Sequence, residues 1–184
     1  DLTAAAIAAL GTKDGYVSIL GSGSVFIDYH NEEVVKYTGG LGREKGDEGG
    51  GYYFGKMVLE AFVNKKLQPI QESILKAVIS VADANQLKKG NFSNQLCLNL
   101  PFFLSSNLLE FEAFHIKNMA LFFDEYVAVD QGTTLHFVGS YAYFHQEILK
   151  RIVQEKGYIN GEIIARPMDK MMPYFQNKLD TNEM

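Results

Sequence analysis

Two short stretches combine glycine with polar groups in ways that can do chemistry. The first is GSGS at residues 21–24, set between two β-rich runs. Glycines there let the chain turn tightly and expose several backbone N–H groups together. Such nests bind anions, and Ser22 and Ser24 add hydroxyl donors. Each hydrogen bond to a charged phosphate contributes about 1.5–3 kcal/mol, so a few suffice to hold one. The plainer reading is a hairpin turn built of small residues. The second stretch is GGLGREKGDEGGG at residues 39–51, which mixes seven glycines with Arg43, Glu44, Lys45, Asp47 and Glu48. A flexible linker would instead dilute its glycine with Ser, Thr and Pro. The GDEGG portion opens directly onto an amphipathic helix, where Asp47 and Glu48 can serve as caps favoured by the helix dipole. A carbohydrate offers the other explanation. Sugar hydroxyls need a carboxylate acceptor, which Asp47 supplies, and the ring needs bare backbone beside it.

Asp1 also has two readings. It is an N-cap for the alanine-rich segment behind it, or a general base that takes a proton from an attacking hydroxyl. A base of that kind adds about 10²–10⁴-fold in rate.

The rest of the composition narrows the field. The chain has 184 residues, 47% hydrophobic and 21% charged, with 13 Phe and 10 Tyr, enough for one compact domain or a large lobe. The net charge of −5 and the lack of a basic run exclude the electrostatic footprint of a nucleic-acid binder. Cys97 is the only cysteine. It can form no internal disulfide and supplies no zinc or iron–sulfur cage from one chain, and the expected setting is reducing and cytoplasmic. His30, His115, His136 and His145 show no metal-ligand spacing and read as surface or core residues, so no metal site is expected. No apolar run approaches the ~20 residues that span a bilayer; the most apolar, residues 96–103, is far too short. Asn91–Phe92–Ser93 has the form of a glycosylation sequon, with no accompanying sign of secretion. The sequence opens on Asp1 rather than Met, with no signal peptide, and we expect it to be a piece of something longer.

These residues need elements to hold them. Residues 2–10 read as a short helix stopped by Gly11. Residues 16–20, 25–30 and 34–37 read as strands, with Val25, Ile27 and Tyr29 alternating with Asp28 and His30, and Asn31–Glu32–Glu33 as a tight hairpin. Three strands joined by short turns make an antiparallel meander. After the glycines the period becomes helical. Phe54, Val58, Ala61 and Phe62 share a face; Ile70, Ile74, Ala77, Val78 and Val81 repeat it as far as a break at Lys88–Lys89–Gly90. Residues 107–127 predict a long helix, apolar nearly all round and therefore largely buried. The longer apolar segment at 96–127 serves the core or hides a homodimer surface. Residues 135–138 predict a strand ending at Gly139, 146–156 an amphipathic helix stopped by Gly157, 163–165 a strand, and 168–179 a last helix. The order is that of a mixed α/β layer fold.

Taken in order, Asp1 with LTAAAIAAL, then ILGSGSVFIDY, GGLGREKGDEGGGYYFGK and LHFVGSYAYFHQEIL resemble the C-terminal half of the BadF/BadG/BcrA/BcrD ATPase family. Within that family the likeness is to N-acetylglucosamine kinase-like proteins. It covers most of the chain and is weakest from about Lys65 to Thr134. The resemblance implies a ribonuclease H-like lobe of the actin/sugar-kinase ATPase fold, with a mixed sheet and flanking helices. It implies a kinase that phosphorylates an amino sugar such as N-acetylglucosamine from ATP. Asp1 then matches the base that activates the sugar hydroxyl. Gly21, Ser22 and Gly23 match the second phosphate loop, with Ser22 in place of the usual Thr of GTGS. Ser24 and Val25 lie beside the sugar, as do Gly40, Leu41 and Gly42, which match a Gly–Trp–Gly segment. Asp47 matches the carboxylate that binds sugar hydroxyls. Gly139 and Ser140 match the turn under the adenosine, with Tyr143 and Phe144 close by. Leu41 for Trp, Val25 for Asn and Gly50 for the Ser of GDEGS depart from the family pattern and leave the sugar's identity open.

The family's first phosphate loop, an Asp–Gly–Gly–Ser/Thr motif, is absent from the sequence. It belongs to a preceding lobe, whose aspartate carries most of the hold on Mg²⁺. This chain is then the C-terminal lobe of a two-lobe enzyme, expected to be inactive by itself. Two alternatives stand beside this. One is the family's other branch, ATPases that activate a partner reductase through an iron–sulfur cluster bridging two subunits; a lone Cys97 in an apolar stretch argues against it. The other is a sugar- or nucleotide-binding module without catalysis.

Overall fold

The computed structural model describes residues 2–42, 45–168, 170, 171 and 174. Helix α1, Leu2–Leu10, ends where Gly11 turns left-handed at φ +63°. Strands β1 (Gly15–Leu20), β2 (Ser24–His30) and β3 (Glu33–Gly39) follow and pair antiparallel, as their alternation predicts. Asn31 and Glu32 join β2 to β3 with φ of 52° and 61°. Positive φ at both central positions gives the turn whose twist matches that of the strands. On its other side β1 runs parallel to β4 (Thr134–Val138), and β4 runs parallel to β5 (Ile159–Ile164). The sheet order is β3-β2-β1-β4-β5.

Both faces of this sheet are covered. Val17, Ile27, Tyr29, Val138 and Ile164 pack against Ala5, Ala6 and Ala8 of α1, whose small side chains let the helix lie close. Leu20, Phe26, Leu135 and Phe137 face the larger core. That core is built by α2 (Gly51–Val63), α3 (Pro69–Val78), α4 (Val81–Lys88), α5 (Asn94–Phe103), α6 (Leu108–Tyr126) and α8 (Gln146–Glu155). A single turn of helix, α7 (Ser140–Phe144), sits between β4 and α8.

Several expectations change. The periodic segment after Ile70 is two helices, because Ser80 takes an extended conformation and its side chain accepts the Asp83 N–H as a new N-cap. Val81, expected on the inner face, is exposed. The apolar run at 96–103 is helix α5, started by Ser93, whose hydroxyl accepts the Leu96 N–H at 3.3 Å. Helix α6 buries one face, through Phe111, His115, Asn118, Met119, Phe122 and Phe123, and leaves Leu109 exposed, so it is not buried all round. Strand β5 begins four residues before its expected start at Ile163, since pairing with β4 recruits the polar Asn160. Most of the expected last helix at 168–179 lies outside the described residues, as do Asp1, Arg43 and Glu44. Among the described residues no helix is long and apolar enough to cross a membrane.

Candidate functional site

Strands β1, β4 and β5 run in one direction, so Leu20, Val138 and Ile164 end at one edge of the sheet. In open α/β sheets the crevice at the carboxyl ends of the strands is where ligands bind. The two glycine turns and the start of α7 gather there.

The two glycine turns are locked together by main chain. Gly51 N–H donates to Gly21 O at 2.8 Å, and Tyr52 N–H donates to Ser22 O at 3.0 Å. These are first-turn amides of α2, which would otherwise lack partners. Ser24 Oγ donates to Glu48 O at 2.5 Å. A methyl on Gly50 would stand 2.7 Å from both Gly23 Cα and Ser22 O. Glycine at position 50 thus lets the two backbones touch. Of the four GSGS amides, Gly21 donates within the turn to Gly23 O at 3.0 Å, and Ser24 donates to Asp47 Oδ1 at 3.4 Å. Ser22 and Gly23 have no acceptor among the described residues. The nest therefore offers two amides rather than four.

Asp47 is buried, at 7% exposure, and holds φ at +71°. Left-handed backbone is uncommon outside glycine, although Asp and Asn tolerate it best. The strain is supported from several sides. Gly50 N–H closes the turn on Asp47 O at 2.9 Å. Glu48 accepts a short hydrogen bond from the Tyr126 hydroxyl of α6. Burial and the Glu48 charge hold that phenol well above its ordinary pKa. The result aims the Asp47 carboxylate at the GSGS turn, where a methyl on Gly23 would stand 2.8 Å from its Cγ. A second run, Gly40–Gly42, leaves the end of β3 with all three residues exposed, and Gly40 N–H donates to Ser24 O at 2.9 Å. Val25 is half-buried, on the sheet face that carries α1.

Behind the GSGS turn lies a cavity of about 390 Å³. Gly21, Ser22 and Gly51 form one wall; Leu98, Pro101 and Phe102 of α5, with Ser105 just beyond it, form the second; Ser140, Tyr141, Phe144 and His145 form the third. A volume in this range, with apolar walls and a few polar groups, suits a small organic ligand. Gly139 sits under it at φ +127°, where a methyl would meet Leu20 O at 2.5 Å, so only glycine passes there. His145 packs on His115 at a tilt of 32°, ring centres 4.0 Å apart, and His115 stacks on Phe54 at 3.9 Å. Burial, reinforced by the neighbouring His145, pushes His115 down to about 2, and burial alone pushes His145 down to about 4. Both imidazoles are neutral at physiological pH.

Of the expected nucleotide residues, Gly21, Ser22, Ser140 and Phe144 line the cavity, while Gly23, Gly139 and Tyr143 stand beside it without lining it. Ser24 and Asp47 meet at the front of the same turn. The sequence reading did not pick out Tyr141, His145 or the α5 wall. Tyr141 lies inside GSYAYF at 139–144, on the buried side of that turn. His115 and His145 are core residues as expected, and His145 is also a cavity wall.

No family model matches the chain, and neither does any curated protein. Solved structures do. A Porphyromonas gingivalis protein put forward as an N-acetylglucosamine kinase matches with a TM-score of 0.81 and 23% identity, over 95% of this chain and 64% of its own. A Chromobacterium violaceum protein, put forward as the same kind of kinase, matches with a TM-score of 0.64 and 16% identity, over 86% of this chain and 59% of its own. At these identities the likeness establishes architecture: the five-stranded mixed sheet with its flanking helices matches part of each structure, and this chain spans 64% and 59% of their lengths.

Proposed function

We propose that this chain is the C-terminal nucleotide- and sugar-binding lobe of a two-lobe kinase that phosphorylates an amino sugar of the N-acetylglucosamine type from ATP. The observation that carries the reading is the locking of the two glycine turns. It sets the Asp47 carboxylate against the turn that presents the Ser22 and Gly23 amides. A carboxylate able to accept from sugar hydroxyls and two amides able to hold a phosphate would then act side by side. Both solved structures of this fold were put forward as N-acetylglucosamine kinases, which supports the same reading.

Each residue then has a task. Asp47 accepts protons from sugar hydroxyls and fixes the ring, with Ser24, Val25, Gly40, Leu41 and Gly42 along its edge. Ser22 and Gly23 receive the phosphate tail. The cavity between α5 and α7 receives the nucleoside, over Gly139 and Ser140. Asp1 takes the proton from the attacking hydroxyl. Phosphoryl transfer is mainly positioning and charge stabilisation, and Mg²⁺ neutralises the phosphates when bound. Among the described residues no three His, Cys, Asp or Glu side chains gather to hold a metal ion. In this reading the ion is held by the phosphates and by a preceding lobe. Closure of the two lobes keeps out water, which competes for the phosphoryl group.

Cys97 weighs against an ATPase that activates a reductase. It is fully buried under α2, and burial pushes its thiol up to about 11. A thiol so placed does not reach across to a second subunit.

The test is ATP-dependent phosphorylation of N-acetylglucosamine by the full-length protein and by its Asp1→Asn variant. We expect the substitution to lower turnover by about 10²–10⁴-fold and to leave nucleotide affinity in place. Unchanged turnover removes Asp1 from the mechanism. Phosphorylation by residues 1–184 alone contradicts the two-lobe reading.

A further inference from the structure

Asn118 is the one polar residue on the buried face of α6 besides His115, and it is fully buried. It touches neither the cavity nor the GSGS turn, yet it joins both sides of the candidate site. Its Oδ1 accepts the Gly49 N–H at 2.8 Å, and its Nδ2 donates to Gly50 O at 3.0 Å. That Nδ2 also donates to the Tyr141 hydroxyl at 3.2 Å. The two glycine bonds fix which end of the amide is which, since an N–H needs the oxygen and a carbonyl needs the nitrogen. Both amide protons are then used. Tyr141 Oη, fully buried and accepting from Asn118, pairs with His115 Nδ1 at 2.8 Å; its own proton has an acceptor there only if that nitrogen is unprotonated.

This chain of bonds runs from the turn that holds Asp47 to a wall of the cavity. Gly49 has little room for independent movement, because a methyl there would stand 2.5 Å from Phe122 Cβ, on the same helix as Asn118. Tyr141 belongs to α7 and lines the cavity with Ser140 and His145. Any displacement of Tyr141 by an occupant of the cavity either moves the Asn118 amide or breaks a buried hydrogen bond. Leaving a buried polar group unpaired is disfavoured, so the two sides move together. A fully bonded buried network of this kind tends to hold a single arrangement.

We infer that Asn118 is a positioning residue that couples the two halves of the site, so that occupancy of the cavity by a nucleotide sets the Asp47 turn for the sugar. The inference rests on the kinase reading above. Coupling is reciprocal, and its measure is the ratio of sugar affinities with and without the second ligand.

The experiment is calorimetric titration of the full-length protein with N-acetylglucosamine, alone and in the presence of a saturating non-hydrolysable ATP analogue. The wild type is expected to bind the sugar at least about fivefold tighter with the analogue. In Asn118→Ala this ratio falls to near one. A residue that merely supports the fold would weaken both titrations together and leave the ratio alone. Tyr141→Phe is the second variant, since Asn118 keeps both glycine bonds and loses only the link to the cavity wall; its ratio also falls to near one. A wild-type ratio of one, or a ratio unmoved in either folded variant, overturns the coupling while leaving the kinase reading intact. A wild type that takes up neither ligand overturns the kinase reading and the coupling with it.

Discussion

Asp47 shows how much one residue's backbone can say about its use. It holds φ at +71° while buried, a combination that ordinary packing does not reward. Strain of this kind costs on the order of 1–3 kcal/mol and persists where surrounding structure fixes it. Asn is similar in shape, tolerates the same backbone, and still accepts from the Ser24 amide. Asp47→Asn is therefore expected to change stability by less than about 1 kcal/mol. In the proposed kinase it removes the charge that would strengthen hydrogen bonds from sugar hydroxyls, each worth about 1.5–3 kcal/mol. Sugar phosphorylation should fall by about tenfold to a hundredfold or more, read as kcat/KM beside a thermal melt. A variant that melts several degrees lower with kcat/KM intact would make Asp47 a structural residue only. The histidine pair makes a second prediction at this scale. Both folded-state values lie below the ordinary imidazole value of 6.5, at about 4 for His145 and about 2 for His115. The unfolded chain takes up these protons first, so the stabilisation is complete above pH 6.5 and is lost as pH falls from there towards 4 and below. The loss reaches about 1.4 kcal/mol per pH unit for each imidazole. Denaturant melts of wild type and His145→Leu between pH 7 and 4 should differ in slope by about one proton; equal slopes would mean His145 is not held neutral by the fold.

At the scale of elements, what was legible follows from what was local. The meander was readable because Val25, Ile27 and Tyr29 alternate over a short span and Asn31–Glu32 accepts the tight turn. The two glycine turns were readable as unusual, because linkers rarely mix that much glycine with charge. Their contact was not, since a register of Gly51 on Gly21 and Tyr52 on Ser22 is set by the packing of α2 on the sheet edge. Helix α5 stayed hidden because its run of Leu, Phe and Pro101 has no clear period. The extra helix break came from one serine competing for a cap. Asn118 is one polar position in an apolar helix and was not singled out, because its partners lie 23 to 69 residues away. One contact between elements is testable by size alone. Gly55 of α2 lies against α5, where a methyl would stand 2.7 Å from the Cys97 carbonyl carbon and closer still to its oxygen. Backbone cannot swing aside as a side chain can. Gly55→Ala is expected to destabilise by about 1–3 kcal/mol or more and, by pushing α5 outward, to weaken nucleotide binding. A melt at wild-type temperature would show that α5 moves freely.

Across the whole molecule, one edge of the sheet carries the candidate site and the two sheet faces carry the packing. The carboxyl ends of β1, β4 and β5 meet the helix that opens after GDEGG, and α1 closes the far face. The chain spans 64% and 59% of the two solved structures that share its fold. The central claim is that both glycine turns grip ligand at once. A crystal structure of the full-length protein with N-acetylglucosamine and a non-hydrolysable ATP analogue tests it most directly. The account predicts sugar hydroxyls within hydrogen-bond reach of the Asp47 carboxylate, phosphate oxygens on the Ser22 and Gly23 amides, and the base between α5 and α7. Ligands bound with neither turn in contact would contradict it.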